Sequence, residues 1–185
     1  MPHVAPDLIA LGLTFVPEFL TAAEEKTLIP LLLVPVPVGL RTQPKRNRVQ
    51  RYGSSVPYDT HMLSASIPEH FVALGAKLVA QNLLAVPPDS ITVNEYLKGD
   101  IIQAHIDAPA GGPVITVLSL GSAATMLLRR REKSYTVVLP PRSLIQMRDD
   151  LRYKWTHEIL PVAATRYSVV FRCSQECGDE KPQTP

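Results

Sequence analysis

Cysteine is nearly absent from this chain, and so is any long apolar run. Only Cys173 and Cys177 occur among 185 residues, too few for a disulfide framework, so two free thiols is the plainer reading than a metal or redox pair. No stretch reaches the roughly 18 to 20 consecutive apolar residues that a membrane-spanning helix needs, and no membrane association is expected. The opening residues, Met1-Pro2-His3-Val4-Ala5-Pro6-Asp7, lack a basic segment followed by an apolar one, which leaves a cytoplasmic or nuclear location as the expectation. An excess of one charge is lacking too: the net +2 is too small to require a polyanionic partner by itself.

What is present suits a globular enzyme or binding module. Hydrophobic residues make up 45% and charged residues 19% of the chain, and this length most simply folds as one domain. That domain is expected over residues 1–177, with the polar tail 178–185 disordered and the protein a monomer. Leu13 to Val16 reads as a strand stopped by Pro17. Thr21-Ala22-Ala23-Glu24 has the form of a capping box, and Pro30 is expected to limit the helix that follows to about two turns, with 33–38 extended. Phe71, Leu74, Leu78 and Asn82 recur at helical spacing and predict a helix over 68–84 that backs a sheet. From Val114 onward, strand-like runs recur at 114–120, 124–128, 134–139, 143–147, 153–159 and 165–173, the pattern of an antiparallel sandwich or barrel.

The polar side chains fall into a pattern within those runs. Asn94 to Leu97 and Ile101 to Asp107 read as two strands joined at Lys98-Gly99-Asp100, and a strand's period of two turns His105 and Asp107 to one side. Intervening strands can bring His157 beside them. Two imidazoles and a carboxylate cover one face of an octahedral ion, as in non-haem Fe(II) oxygenases, yet three such ligands also suit a hydrolytic zinc site. Parity places Arg166, Ser168, Val170 and Arg172 on one face of the last strand. Two inward guanidinium groups require anions, and a bound organic dicarboxylate supplies them. Upstream, Arg41, Lys45, Arg46, Arg48 and Arg51 precede or flank Tyr52 and Tyr58. This is either a solvated edge or a surface for phosphates and stacked bases.

These residues resemble the AlkB-like Fe(II)/2-oxoglutarate-dependent dioxygenases. The resemblance runs through Asn94-Glu95-Tyr96-Leu97, His105-Ile106-Asp107, Ser119-Leu120-Gly121-Ser122, Leu139-Pro140-Pro141-Arg142-Ser143-Leu144, Arg152-Tyr153-Lys154-Trp155-Thr156-His157 and Arg166-x-Ser168-x-x-Phe171-Arg172. Arg48-Val49-Gln50-Arg51-Tyr52-Gly53 is similar to the family's lid, placed here at 41–59, with a catalytic core at 90–173. The resemblance implies a mainly β chain with flanking helices, folded as a double-stranded β-helix or jelly roll. It implies Fe(II) held by His105, Asp107 and His157, and 2-oxoglutarate held by Arg166 at its distal carboxylate. Asn94, Tyr96 and Ser168 become further cosubstrate contacts, and Arg172 closes that pocket.

The family's chemistry consumes O2, converts 2-oxoglutarate to succinate and carbon dioxide, and hydroxylates a C–H bond. On an N-methyl group the hydroxylated product releases formaldehyde. The expected substrate is a modified nucleobase in RNA or single-stranded DNA, contacted by Arg46, Arg48, Arg51, Tyr52 and Tyr58. A protein-modifying dioxygenase and a noncatalytic jelly-roll module are the alternatives. The chain departs from the family pattern at Lys98-Gly99-Asp100, where Pro-Gly is frequent, at Glu158, where glycine often follows the distal histidine, and in the short loop 108–113.

Overall fold

A computed structural model describes residues 5–33, 48–53 and 66–173. In chain order these form α1 (Pro6–Ala10), β1 (Leu13–Val16), α2 (Ala22–Leu32), β2 (Arg48–Gly53), α3 (Glu69–Ala80), β3 (Ser90–Tyr96) and β4 (Ile102–His105). They continue with β5 (Ile115–Gly121), β6 (Ala124–Arg130), β7 (Lys133–Leu139), β8 (Leu144–Met147), α4 (Asp149–Lys154), β9 (Thr156–Ile159) and β10 (Arg166–Arg172). A larger sheet runs β1-β8-β5-β10-β3-β2 and a smaller one β4-β9-β6-β7, with every strand pairing antiparallel. Two facing antiparallel sheets with this interleaved order make the jelly roll.

Alternation along the strands divides the apolar residues into two cores. Ile91 and Val93 of β3 and Tyr167, Val169 and Phe171 of β10 pack with Phe71, Leu74 and Leu78 of α3 and with Leu28 and Leu32 of α2. Their neighbours in sequence turn the other way, so Tyr96 and Val170 join Met126, Leu128, Trp155 and Ile159 between the sheets. Helices α2 and α3 cover one face of the large sheet, and the other face, with its polar residues, is turned toward the small sheet.

Local chemistry sets the helix ends. Thr21 Oγ1 accepts from the Glu24 amide at 3.2 Å while the Glu24 carboxylate accepts from the Thr21 amide at 2.7 Å, completing the capping box that starts α2. Contrary to expectation, α2 runs through Pro30 to Leu32. Leu28 and Leu32 are both buried, and that packing offsets the hydrogen bond Pro30 cannot make. Helix α3 stops at Ala80, short of 84, because Asn82 takes φ 56°. There the amides of Asn82 and Leu83 donate to the carbonyls of Val79 and Leu78 at 2.9 Å, a Schellman end.

One expectation for the site region is corrected. Residues 149–154 are helical, and the strand expected over 153–159 is confined to Thr156–Ile159. Asp149 and Asp150 open that helix favourably, and Lys154 pairs back to Asp150 at 2.6 Å. The two strands joined at Lys98-Gly99-Asp100, β3 and β4, lie in opposite sheets. The turn between them crosses over: the Leu97 amide donates to Asp100 Oδ2 at 2.8 Å, and the Gly99 amide donates to the Val162 carbonyl at 2.8 Å.

Gly112 ties the loop after β4 to the end of β10. Its φ is 81°, and a Cβ there would collide with the Cys173 carbonyl. Gly112→Ala should therefore lower unfolding stability by about 2 to 4 kcal/mol. Gly99 also has positive φ but meets nothing within 4 Å, so Gly99→Ala should cost only about 1 kcal/mol. Urea unfolding of both variants checks the difference; equal losses would remove the collision as a cause.

Candidate active site

The metal end of the site is built where the two histidines meet across a strand pair. His105 is the last residue of β4 and is directly opposite His157 of β9, with ring centroids 4.3 Å apart. His105 Nδ1 is 2.8 Å from the Gln103 carbonyl, which orients the ring and leaves Nε2 4.0 Å from Asp107 Oδ1. One donor atom from each of His105, Asp107 and His157 lies within 4.8 Å of the others. Strand parity is not what brings Asp107 there, since β4 ends at His105. Asp107 is instead held by Arg172 Nη2, which donates to its Oδ1 at 3.0 Å.

The protonation states suit metal binding. Burial is the largest influence on Asp107 and would raise its pKa, but Arg172, His157 and His105 reverse it, so the carboxyl titrates below its ordinary range. For His157, burial and then the neighbouring His105 lower the pKa to about 4. The imidazole is therefore neutral at physiological pH, as a ligand must be.

β10 supplies the second half of the site. Arg166 is 0% exposed. Its Nη2 donates to Ser119 Oγ at 3.0 Å, and its guanidinium carbon is 4.8 Å from the Tyr96 ring centroid. Among the described residues, its Nε and Nη1 are buried with no hydrogen-bond partner. Each such group costs on the order of 1 to 3 kcal/mol when left unmade, and more when charged. Burial also pulls the Arg166 pKa below its ordinary value. Beside it, Asn94 Nδ2 donates to Ser168 Oγ at 3.2 Å, so Asn94, Tyr96, Ser168 and Arg166 come together on the inward face.

Arg172 lies apart from them, at the other end of β10. Six residues of extended chain separate it from Arg166, roughly 20 Å between their Cα atoms. Its Nη1 donates to Thr92 Oγ1 at 3.0 Å while Nη2 reaches Asp107. The two arginines thus mark opposite ends of one inward strand face.

The basic segment upstream is divided by the structure. Arg41, Lys45, Arg46 and Tyr58 lie outside the described residues. Arg48 is ion-paired with Glu95, its cross-strand neighbour, at 2.6 Å. Tyr52 is 5% exposed, packs its ring 5.4 Å from that of Phe71 and donates to Gln50 Oε1 at 2.8 Å. It is a core residue, and no base can stack on it. Parity separates Arg51 from both: it pairs in register with Thr92, the residue that binds Arg172, on the inward face.

Comparison with known proteins decides between the metal chemistries left open by the residues alone. Residues 34–178 match the model of the 2OG-Fe(II) oxygenase superfamily. The chain belongs to that superfamily. Within it the protein is AlkB-like: tRNA (carboxymethyluridine(34)-5-O)-methyltransferase ALKBH8 of Mus musculus is 34% identical over 161 residues, covering 81% of this chain and 24% of that protein. "Probable RNA/DNA demethylase ALKBH6" of Danio rerio is 26% identical over 160 residues, 78% of this chain and 68% of that protein. The solved structure of OsALKBH1 superposes with a TM-score of 0.64 over 87% of this chain and 97% of that one, at 18% identity. The chain spans about a quarter of the length of the first curated relatives it matches.

As a 2OG-Fe(II) oxygenase, this protein is a dioxygenase that uses Fe(II), 2-oxoglutarate and O2, and its residues fit both bound groups. Two imidazoles and a carboxylate converge, a donor set of the kind that Fe(II) takes. The unpartnered Nε and Nη1 of Arg166 are buried cationic donors that a bound anion can accept from. Among the described residues, no helix is long and apolar enough to cross a membrane.

Arg152 was quoted in the sequence only as part of the segment leading to His157, and nothing local revealed its role. The structure shows it 2% exposed, donating from Nη1 to the Asp107 carbonyl at 2.8 Å, from Nη2 to that of Ala108 at 2.6 Å and from Nε to that of Gly112 at 3.2 Å. One planar guanidinium thereby fixes the backbone that carries the metal-end carboxylate. A lysine cannot satisfy three separated carbonyls. Arg152→Lys should weaken Mn(II) binding about tenfold, read from the free Mn(II) resonance in solution. Unchanged affinity in the folded variant would show that the loop holds itself.

Proposed function

We propose that this oxygenase hydroxylates a C–H bond of a modified nucleobase in RNA or single-stranded DNA, demethylating it where that bond belongs to an N-methyl group. The similarity to nucleic-acid-acting AlkB relatives supports this reading, and the inward-facing Arg51 beside Thr92 supports it within the site. A base must leave its stack to reach a site enclosed between two sheets. In this reading His105, Asp107 and His157 hold iron, which with 2-oxoglutarate and O2 supplies the oxidising chemistry. Arg166 binds the distal carboxylate, flanked by Asn94, Tyr96 and Ser168. Arg172 keeps Asp107 ionised and aimed, and borders the cosubstrate at the metal end. Arg51, with Arg46 and Tyr58 from the upstream segment, contacts the nucleic acid.

Arg166→Ala removes one member of a buried charge pair, a loss on the order of 2 to 5 kcal/mol. The 2-oxoglutarate concentration for half-maximal succinate formation should rise by a factor of tens or more. An unchanged value would end the assignment of Arg166. Substrate class is tested by incubating the enzyme with Fe(II), 2-oxoglutarate and a panel of modified oligonucleotides and peptides, followed by mass spectrometry. Oxidation of an oligonucleotide is expected, and it should vanish in the His105→Ala, Asp107→Ala double variant. Oxidation confined to peptides would replace this reading with a protein-modifying one.

A further inference from the structure

The hairpin joining β6 to β7 carries Arg129, Arg130, Arg131 and Lys133 around a single acid, Glu132. Register places this tip at the metal end of the small sheet. His157 is opposite Leu128 on β6, and Thr156 is opposite Arg129. Residues past His105 on β4 continue toward the same side, because His105 pairs antiparallel with His157. Arg131 is three residues beyond Leu128, roughly 10 Å along the strand from the level of the histidines. That is within the reach of a few nucleotides from a base held at the site.

The four cations do different things. Arg129 pairs with Glu158 at 3.3 Å and Arg130 with Asp150 at 3.2 Å. Exposed pairs of this kind contribute little energy, but they tether the hairpin to β9 and α4, the elements that flank His157. Arg131 and Lys133 are exposed and have no ion-pair partner among the described residues. Arg131 also has φ 53°. It occupies the first position of a two-residue turn between the paired Arg130 and Lys133, in the left-handed region where glycine fits with less strain. The side chain at that position therefore comes at a conformational cost, and among the described residues it makes no ion pair in return.

We infer that Arg131 and Lys133 form a phosphate-contacting surface for the nucleic-acid strand whose target base enters the site, distinct from the upstream basic segment. This inference rests on the nucleic-acid reading above. Two phosphate contacts contribute a salt dependence of about 0.7 each on logarithmic axes for a single strand. The test is fluorescence anisotropy of a labelled mixed-sequence single-stranded oligonucleotide, as RNA and as DNA, across a salt series. Arg131→Gly combined with Lys133→Ser should bind about tenfold more weakly at low salt, with a slope shallower by about 1.4. Its thermal midpoint should equal or exceed that of the parent, since glycine relieves the turn. Arg131→Lys alone should retain the parent's slope, because a point charge serves a phosphate. A parent that binds with a salt slope the double variant fully retains would overturn the hairpin surface and leave the nucleic-acid reading standing. A parent with no salt-dependent binding to either strand would overturn both.

Discussion

Burying the Arg166 guanidinium without a protein carboxylate is the constraint on which this site depends. Its charge is enclosed between the sheets and two of its nitrogens have no hydrogen-bond partner among the described residues, so the fold is left with a desolvation cost that a bound anion can offset. β10 can carry that cost because it is flanked by β5 and β3 on either side and its alternate residues Tyr167, Val169 and Phe171 are locked into the helix-backed core. The same strand presents Arg172 to Asp107 at its far end. One rigid element thus sets the positions of both guanidinium groups.

The carboxylate at the metal end depends on a different kind of support. Asp107 lies beyond the last ladder bond of β4, where a loop would ordinarily be free to move. Arg152 binds three of its backbone carbonyls, Arg172 holds the side chain, and the close approach of Gly112 to Cys173 closes the loop on β10. Gly111 fits the same packing, since a Cβ there would come within 3.0 Å of Arg172 Cδ. Small residues in this loop therefore let the buried Arg152 and the half-buried Arg172 approach it. Rigid strands position the two histidines, and a clamped loop positions the carboxylate beside them.

Much of this was legible in the sequence wherever local periodicity decides the outcome. The inward set Arg166, Ser168, Val170 and Arg172 followed from parity alone, because β10 is regular over its full length. The capping box at Thr21 likewise depends only on residues three positions apart. What local pattern misses is set by register and packing between distant segments. The destination of Arg172 depends on where the loop after β4 returns. Tyr52 read as an exposed aromatic among cations, yet β2 pairs with β3 and its parity turns the ring onto Phe71. Arg48 read as a free cation because Glu95, its partner, is far away in sequence. The aromatic alternation of Tyr153 and Trp155 imitated a strand, whereas the acidic start at Asp149 and Asp150 and the Asp150–Lys154 pair favoured a helical turn.

The central claim, that Arg166 is the built receptor for the distal carboxylate of a dicarboxylate chelating iron beside Asp107, is tested most directly on the unmodified protein by changing the ligand. Under anaerobic conditions, Fe(II) and 2-oxoglutarate together should produce the visible charge-transfer absorption of a chelated 2-oxo acid, saturating with one iron per chain. 2-Oxopentanoate has the same chelating end but a methyl group in place of the distal carboxylate. It should require about a hundredfold more ligand to reach the same absorption, because it leaves the Arg166 charge buried and unpaired. Equal affinity for the two acids would contradict the account.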